Sequence, residues 1–158
     1  MLDPVTDFEV RRGLLVIGHG SRRDEANATL RDVARRLAVD DAFVAVEAAF
    51  LELSEPTIEQ GYGRLVDAGC TSVVAHPFFL FPGLHTTTDI PTQLEEAARR
   101  HPGANWTVTE PLGLHPGVLQ AAADRIAAAS DAGRSAEEVG DSCDQAVDPG
   151  LPGDPVDA

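Results

Sequence analysis

The chain of 158 residues carries 26 acidic and 12 basic residues, giving a net charge of −14, and every base is arginine. A charge this negative disfavours nucleic-acid binding, and the absence of lysine excludes a Schiff-base lysine and a P-loop lysine. Hydrophobic residues make up 43% of the sequence, which is typical of one globular domain with a sizeable core. The acid-rich, lysine-free composition indicates a salt-loving microbe, with a high-GC mesophile as the alternative source.

The sequence shows no feature of export or membrane insertion. No apolar run approaches the roughly 20 residues that span a bilayer. Residues 1–12 form a polar lead-in without the apolar core of a signal peptide. We therefore expect a cytoplasmic protein that does not contact membranes. Cys70 and Cys143 form no metal-ligand pattern, so neither a disulfide framework nor a structural zinc site is expected.

Strands and helices alternate along the sequence. Four runs rich in apolar residues predict strands: 13–17, 43–51, 71–79 and 106–110. Each run is followed by a segment with helical spacing of apolar residues: 22–38, 56–69, 90–100 and 119–126. Four βα units predict a three-layer α/β/α sandwich with a four-stranded parallel sheet in the order 2-1-3-4. We place this domain at 13–129 and interpret 130–158, rich in acids, glycine and proline, as a disordered tail.

Local signals mark the predicted helix starts. Ser21 is expected to cap the first helix, with Asp24 as its capping-box partner. Pro56 suits the first turn of the second helix. The segment 86–89 supplies capping groups for the third helix, and we interpret Asp89 as a cap rather than a metal ligand.

The loops after the first three strands carry the residues with catalytic chemistry. His19 lies between two glycines after the first strand, and His85 follows the third. Glu52 and Glu55 follow the second strand. In the order 2-1-3-4 the first and third strands are neighbours, so we expect His19 and His85 to face each other across one crevice. Two neutral imidazoles form a partial site for a divalent transition metal and can move protons at neutral pH.

The other histidines have simpler interpretations. His76 falls within the third strand and is expected to be hydrogen-bonded, and His101 lies at a helix end where a cation complements the dipole. His115 precedes a proline at a helix start, where it is either a turn residue or part of the site. The turn at 18–20 lacks the third glycine of a dinucleotide-binding loop, because Arg23 stands in its place.

Several segments together resemble one family. They are Ile17–Arg22, Phe50–Pro56, Pro77–Leu80 with Gly83–His85, Asp89–Pro91 and Leu112–Pro116. In this order they are similar to the class II sirohydrochlorin chelatases, the CbiX family, over about 13–129. The resemblance implies insertion of Co²⁺, or alternatively Fe²⁺, into sirohydrochlorin for cobalamin or sirohaem synthesis, without ATP and without a permanently bound cofactor. It also implies that a short, single-domain member pairs as a homodimer around the tetrapyrrole.

The resemblance also assigns roles to residues. The family's metal-binding and catalytic histidines fall on His19 and His85, and its acid after the second strand falls on Glu52 or Glu55. We assign Glu52 to catalysis. Contacts with the substrate are expected from Ser21, Arg22, Glu55, Thr86, Thr87 and Thr88.

Two other functions fit the same loops. A non-catalytic metal or tetrapyrrole carrier would use the same histidines and bind Co²⁺ without turnover. A nucleotide- or phosphate-binding α/β domain would use the glycine-flanked turn and would ignore a tetrapyrrole.

Overall fold

The computed structural model describes residues 10–38 and 42–141, with 131–141 described by their backbone alone. Its elements are β1 Arg12–Gly18, α1 Asp24–Leu37, β2 Ala45–Phe50, α2 Ile58–Asp67, β3 Ser72–Pro77, α3 Ile90–Arg100, β4 Asn105–Val108 and α4 Pro116–Asp141. A π-helical turn over His85–Asp89 leads directly into α3. The sequence also predicts a turn at Asp40 and Asp41. That turn and most of the polar lead-in at 1–12 lie outside the described residues.

The four strands form one parallel sheet in the order β2-β1-β3-β4, which confirms the prediction. β1 lies between β2 and β3, and its residues Leu15, Val16 and Ile17 are fully buried. Such a continuous apolar run is typical of a central parallel strand covered on both faces. Gly18 pairs with Phe50, and Ile17 pairs with Pro77. The loops after β1, β2 and β3 therefore begin at the same edge of the sheet.

Alternate residues of β1 face two separate hydrophobic clusters. Leu15 and Ile17 pack in the cluster that α2 and α3 cover with Tyr62, Leu65 and Leu94. Leu14 and Val16 pack on the other face with residues of α1. Burial of one such aliphatic side chain contributes about 1.5–3 kcal/mol. The three-layer α/β/α arrangement follows from this two-sided burial, as predicted.

Two predicted helix starts are wrong by a few residues. α1 begins at Asp24, and its N-cap position is Arg23. Ser21 lies two residues before that position, and its Oγ accepts a hydrogen bond from Arg23 N. α2 begins after Thr57, whose hydroxyl forms a reciprocal capping box with Gln60. Pro56 precedes this cap and is not in the helix. The prediction missed the capping box because it placed the start of the helix at Pro56, a residue type that is frequent in the first turn of helices.

The C-terminal helix is longer than the sequence predicted. The chain divides into two units between Leu114 and His115, and α4 belongs to the second. α4 continues to Asp141, whereas we expected disorder from about 130. Alanine is frequent in this stretch, and its helix propensity outweighs that of the glycines at 133 and 140. The rest of the predicted tail, 142–158, lies outside the described residues. In the part of the chain that the structure describes, no helix has both the length and the apolar character needed to cross a bilayer.

His76 on β3 is hydrogen-bonded, as expected. Its Nδ1 lies 2.6 Å from Thr109 Oγ1, and that hydroxyl donates its own proton to the carbonyl of Glu110. Thr109 Oγ1 therefore accepts from Nδ1–H, and in a neutral imidazole this leaves Nε2 unprotonated. Burial lowers the pKa of His76 below its ordinary value of 6.5, because desolvation disfavours the charged ring.

This lowered pKa predicts how stability depends on pH. Unfolded His76 takes up a proton near pH 6.5, whereas folded His76 does so only at lower pH. The free energy of unfolding is thus highest above pH 6.5 with respect to this group and falls as the pH drops below it. We expect His76→Gln to reduce that fall between about pH 6.5 and pH 5, measured by urea unfolding at several pH values. His101→Gln is the control, and an unchanged pH dependence in His76→Gln would contradict the prediction.

Candidate functional site

Three segments meet at the carboxyl edge of the sheet: loop 1 (19–23) after β1, loop 2 (51–57) after β2, and the π-helical turn that follows β3. The pairing of β1 with β2 continues into the loops through Leu51 N, which donates to Gly18 O at 2.9 Å. Glu52 N donates to His19 O at 3.0 Å. These two bonds fix the backbone of His19 beside that of Glu52.

Gly20 allows loops 1 and 2 to touch. Its φ is +99°, a conformation that L side chains rarely adopt. A Cβ added at this position would overlap the carbonyl oxygen of Glu52. Gly20 therefore fills a position where both the backbone conformation and the close approach of loop 2 require glycine.

Asn27, buried in the first turns of α1, ties loop 1 to loop 2. Its side-chain oxygen accepts from Ser21 N at 3.0 Å, and its Nδ2 donates to Ser21 O at 2.8 Å and to Ser54 Oγ at 3.0 Å. Only 2% of Asn27 is exposed. Our sequence analysis missed this residue, although a polar side chain on the buried face shared with Leu30 and Ala34 was a usable signal.

The predicted meeting of the two loop histidines is confirmed. The ring centroids of His19 and His85 are 5.3 Å apart, with the rings at 78° to each other. His19 Nε2 lies 3.2 Å from Glu52 Oε1. His85 Nδ1 lies 2.7 Å from Asp89 Oδ2, within hydrogen-bond distance. About half of each imidazole side chain is exposed, at 47% for His19 and 46% for His85, so ligands can reach both rings.

Asp89 was predicted to cap α3, and that prediction is wrong. Among the described residues its carboxylate makes no capping hydrogen bond, and it accepts from His85 instead. The reason is that the helix starts earlier than the apolar spacing indicated: the π-helical turn places Asp89 inside a continuous helical segment, one turn after His85. A histidine and a carboxylate four residues apart in a helix were the signal that the sequence offered.

A cavity of 520 Å³ opens beside His85 along the first turns of α3. It is lined by Leu51, Glu52, His85, Thr88, Asp89, Thr92, Gln93 and Glu96. Most of these side chains offer oxygen atoms, and three are carboxylates. Such a lining suits a cation better than an anion.

A second cavity of 640 Å³ has mainly apolar walls, formed by Phe81, Pro82, Glu110, Pro111, Gly113 and Leu114. Phe81 is 70% exposed and Leu114 is 75% exposed. Leu84, next to His85 in the chain, is 71% exposed. Phe81 and Leu114 lie on loops that follow neighbouring strands, and together they form a surface suited to an apolar partner.

The structure separates Glu52 from Glu55. Glu52 contacts His19 and lines the polar cavity. Glu55 Oε1 accepts from Gln60 Nε2 at 3.3 Å, and its backbone carbonyl accepts from Arg31, so it is engaged with α2 and α1. Of the two acids left open by the sequence, Glu52 is the one beside the histidines.

The three threonines after His85 have different surroundings. Thr86 Oγ1 accepts from Gly83 N and donates to Gly83 O, both at 2.9 Å, and Thr87 Oγ1 donates to the same carbonyl. These two hydroxyls therefore hold the loop before the π-helical turn instead of capping α3. Thr88 lines the polar cavity.

The remaining predicted residues are Ser21, Arg22 and His115. Arg22 is exposed in loop 1, and the hydroxyl of Ser21 is engaged with Arg23 N. His115 Nδ1 accepts from Gly117 N at 3.1 Å, which is the geometry of a turn residue at the start of α4. In 10–38 and 42–141, no group of three or more histidine, cysteine, aspartate or glutamate side chains converges to hold a metal ion.

The family profile of CbiX matches residues 13–129. The chain belongs to the CbiX family. It is 40% identical over 114 residues to the chloroplastic sirohydrochlorin ferrochelatase of Arabidopsis thaliana, covering 72% of this chain and 51% of that one. It is 33% identical over 102 residues to the sirohydrochlorin cobaltochelatase of Sulfolobus acidocaldarius, covering 65% of this chain and 79% of that one.

Among solved structures, the fold matches the sirohydrochlorin chelatase SirB of Bacillus subtilis subspecies spizizenii in complex with cobalt. The TM-score is 0.67 at 31% identity, over 73% of this chain and 50% of SirB. The chain therefore spans about half the length of SirB and of the Arabidopsis relative. The match confirms the CbiX fold and the family resemblance that the sequence motifs indicated.

The contact at Gly20 generates a prediction. We expect Gly20→Ala to lower the free energy of unfolding by about 2 kcal/mol, because Cβ meets the Glu52 carbonyl and φ is unfavourable. The measurement is denaturant unfolding. Gly83→Ala is the matched control, since within the described residues a Cβ there meets no atom within 4 Å and the position has no positive φ. Equal effects of the two substitutions would show that loops 1 and 2 are not locked together at Gly20.

Proposed function

We propose that the protein inserts a divalent metal ion, Co²⁺ first and Fe²⁺ as the alternative, into sirohydrochlorin without ATP. The observation that carries the proposal is the pair of half-exposed imidazoles, His19 and His85, held 5.3 Å apart at the carboxyl edge of the sheet. Membership of the CbiX family supports the same reaction, because relatives of both metal specificities bear the names sirohydrochlorin cobaltochelatase and ferrochelatase. The product would serve cobalamin or sirohaem synthesis.

The chemistry requires a metal holder and a proton acceptor. A macrocycle loses two pyrrole N–H protons as the ion enters, and neutral imidazole is suited both to bind a transition metal and to accept a proton. His85 lines the polar cavity, whose carboxylates attract a hydrated cation. His19 with Glu52, 3.2 Å from its ring, accepts and relays protons.

The substrate's carboxylates need positive or hydrogen-bonding groups around this centre. Arg22 is exposed in loop 1, which also carries His19, and its guanidinium can form paired bonds to a carboxylate. Ser21 lies in loop 1, and Thr88 lines the polar cavity. The side chains of Thr86 and Thr87 bond to Gly83, and that of Glu55 bonds to Gln60. The net charge of −14 opposes an anionic substrate in dilute buffer. At 1 M salt the screening length falls to about 3 Å, which removes most of that repulsion.

A non-catalytic carrier is less well supported. A storage site encloses its metal in three or four ligands, and the described residues contain no such converging group. Two imidazoles leave positions open for the nitrogens of a macrocycle, which suits delivery of the ion. The nucleotide-binding alternative is weaker still, because Arg23 stands where a dinucleotide-binding loop has its third glycine.

We also propose that the chain acts as a homodimer in the cytoplasm. Phe81, Leu84 and Leu114 expose 70%, 71% and 75% of their surfaces near the site. One four-stranded domain offers half of a cleft for a flat macrocycle, and two-fold pairing is the commonest way to complete one. The expected cytoplasmic location stays a prediction, since the Arabidopsis relative is chloroplastic.

The test of the reaction is absorbance-monitored insertion of Co²⁺, and separately Fe²⁺, into sirohydrochlorin. We expect His85→Ala to abolish insertion and His19→Ala to reduce it at least about 100-fold, with each free energy of unfolding within about 0.5 kcal/mol of wild type. His101→Gln, at the end of α3, is the control and should retain activity. Retained insertion in both alanine variants would place the active site elsewhere, and binding of Co²⁺ without insertion by the wild type would favour the carrier.

The test of assembly is light scattering at molar salt. We expect a dimer, and Phe81→Asp combined with Leu114→Asp should give a monomer because both carboxylates would be buried in the contact. Val44→Asp is the control, since Val44 is 50% exposed but bonds to Arg12 at the opposite edge of the sheet. A wild-type monomer with full insertion activity would refute the dimer.

A further inference from the structure

His85 and Asp89 form the shortest polar contact between side chains of the candidate site. Asp89 Oδ2 lies 2.7 Å from His85 Nδ1, and an ionised carboxylate can only accept, so the ring nitrogen donates. In a neutral imidazole this places the single proton on Nδ1. The nitrogen left with a free lone pair is Nε2, and the residue lines the polar cavity.

The other histidine is engaged through the opposite ring nitrogen. Glu52 Oε1 lies beside Nε2 of His19, not beside Nδ1. The two imidazoles are thus presented to the crevice in different ways, although they lie 5.3 Å apart. Only at His85 does the carboxylate contact leave Nε2 available for a metal ion.

The contacts of Asp89 do not indicate a role in stabilising the fold. It stands at the junction of the π-helical turn and α3, yet in the described residues it makes no capping hydrogen bond to the backbone. It is 38% exposed at the side chain, so it contributes little to the core. Its one side-chain hydrogen bond in this part of the chain is to His85.

We propose that Asp89 is a positioning residue that fixes His85 in the Nδ1–H tautomer and orients its Nε2 toward the incoming metal ion. This inference rests on the proposed function, with His85 as the metal-holding residue. A carboxylate behind a metal-binding histidine fixes the ring's orientation, and its loss costs about 10–100-fold in metal affinity or activity. Asp89 acts through His85 and does not itself touch the metal.

The experiment compares Asp89→Ala and Asp89→Asn with wild type. Nitrogen-15 NMR of histidine-labelled apoprotein at pH 8 reports which ring nitrogen of His85 is protonated, with His85→Gln used to assign the signal. Co²⁺ binding to the protein alone is measured by titration, and insertion into sirohydrochlorin by absorbance. Asp67→Asn, which removes an exposed carboxylate at the end of α2, is the matched control.

We expect His85 in wild type and in the control to be protonated at Nδ1. In Asp89→Ala it should shift to a tautomer mixture, with Co²⁺ affinity and insertion rate each reduced about 10–100-fold. Asp89→Asn should fall between, because its amide oxygen still accepts from Nδ1–H without the charge. If Asp89→Ala does not fold, Asp89→Asn alone provides the comparison.

The outcomes separate this inference from the proposed function. An unchanged Nδ1–H tautomer in Asp89→Ala, or unchanged Co²⁺ affinity, would overturn the positioning role whether or not the protein acts on sirohydrochlorin. Wild-type protein that binds Co²⁺ with the expected tautomer but inserts no metal would overturn the proposed reaction and leave the positioning role supported.

Discussion

The contact of loop 1 with loop 2 is the constraint on which the candidate site depends. The parallel pairing of β1 and β2 does not stop at the strand ends, because two further backbone hydrogen bonds carry it as far as Glu52. This pairing requires glycine at position 20, because a Cβ there would overlap the carbonyl oxygen of Glu52. His19 and Glu52 are then neighbours through backbone geometry alone, before any attraction between their side chains is considered.

Asn27 completes this arrangement from beneath. A buried amide left without partners costs about 1–3 kcal/mol, so its three hydrogen bonds to the two loops are also a requirement on where those loops lie. The same hydrogen bonds explain why Ser21 does not cap α1 as predicted. Ser21 gives both of its backbone polar groups to Asn27, and this holds it outside α1. A residue that sequence analysis assigns to a helix end instead becomes part of a loop-to-loop junction.

The sequence was sufficient for the sheet order and for the meeting of His19 with His85, because both follow from parallel βα topology. It was insufficient where a residue's role depends on the exact helical register. Apolar spacing begins only at Ile90, so the polar turn before it read as a loop with capping groups. The structure extends helical backbone back to His85, and that extension turns Asp89 from a cap into a partner of the histidine. Alanine content likewise carried α4 past the expected boundary, where acid content had suggested disorder.

The polar cavity and the apolar cavity differ in the chemistry of their linings. The polar cavity, with Glu52, Asp89 and Glu96 in its lining, attracts cations and repels carboxylates. The apolar cavity at Phe81 and Leu114 offers a surface suited to an apolar partner, which we propose is a second copy of the chain. A cation and an apolar partner are therefore attracted to different surfaces, which is compatible with the proposed function. The His85 loop lies between them in sequence, with Phe81 before it and Asp89 after it, so one short segment contributes to both.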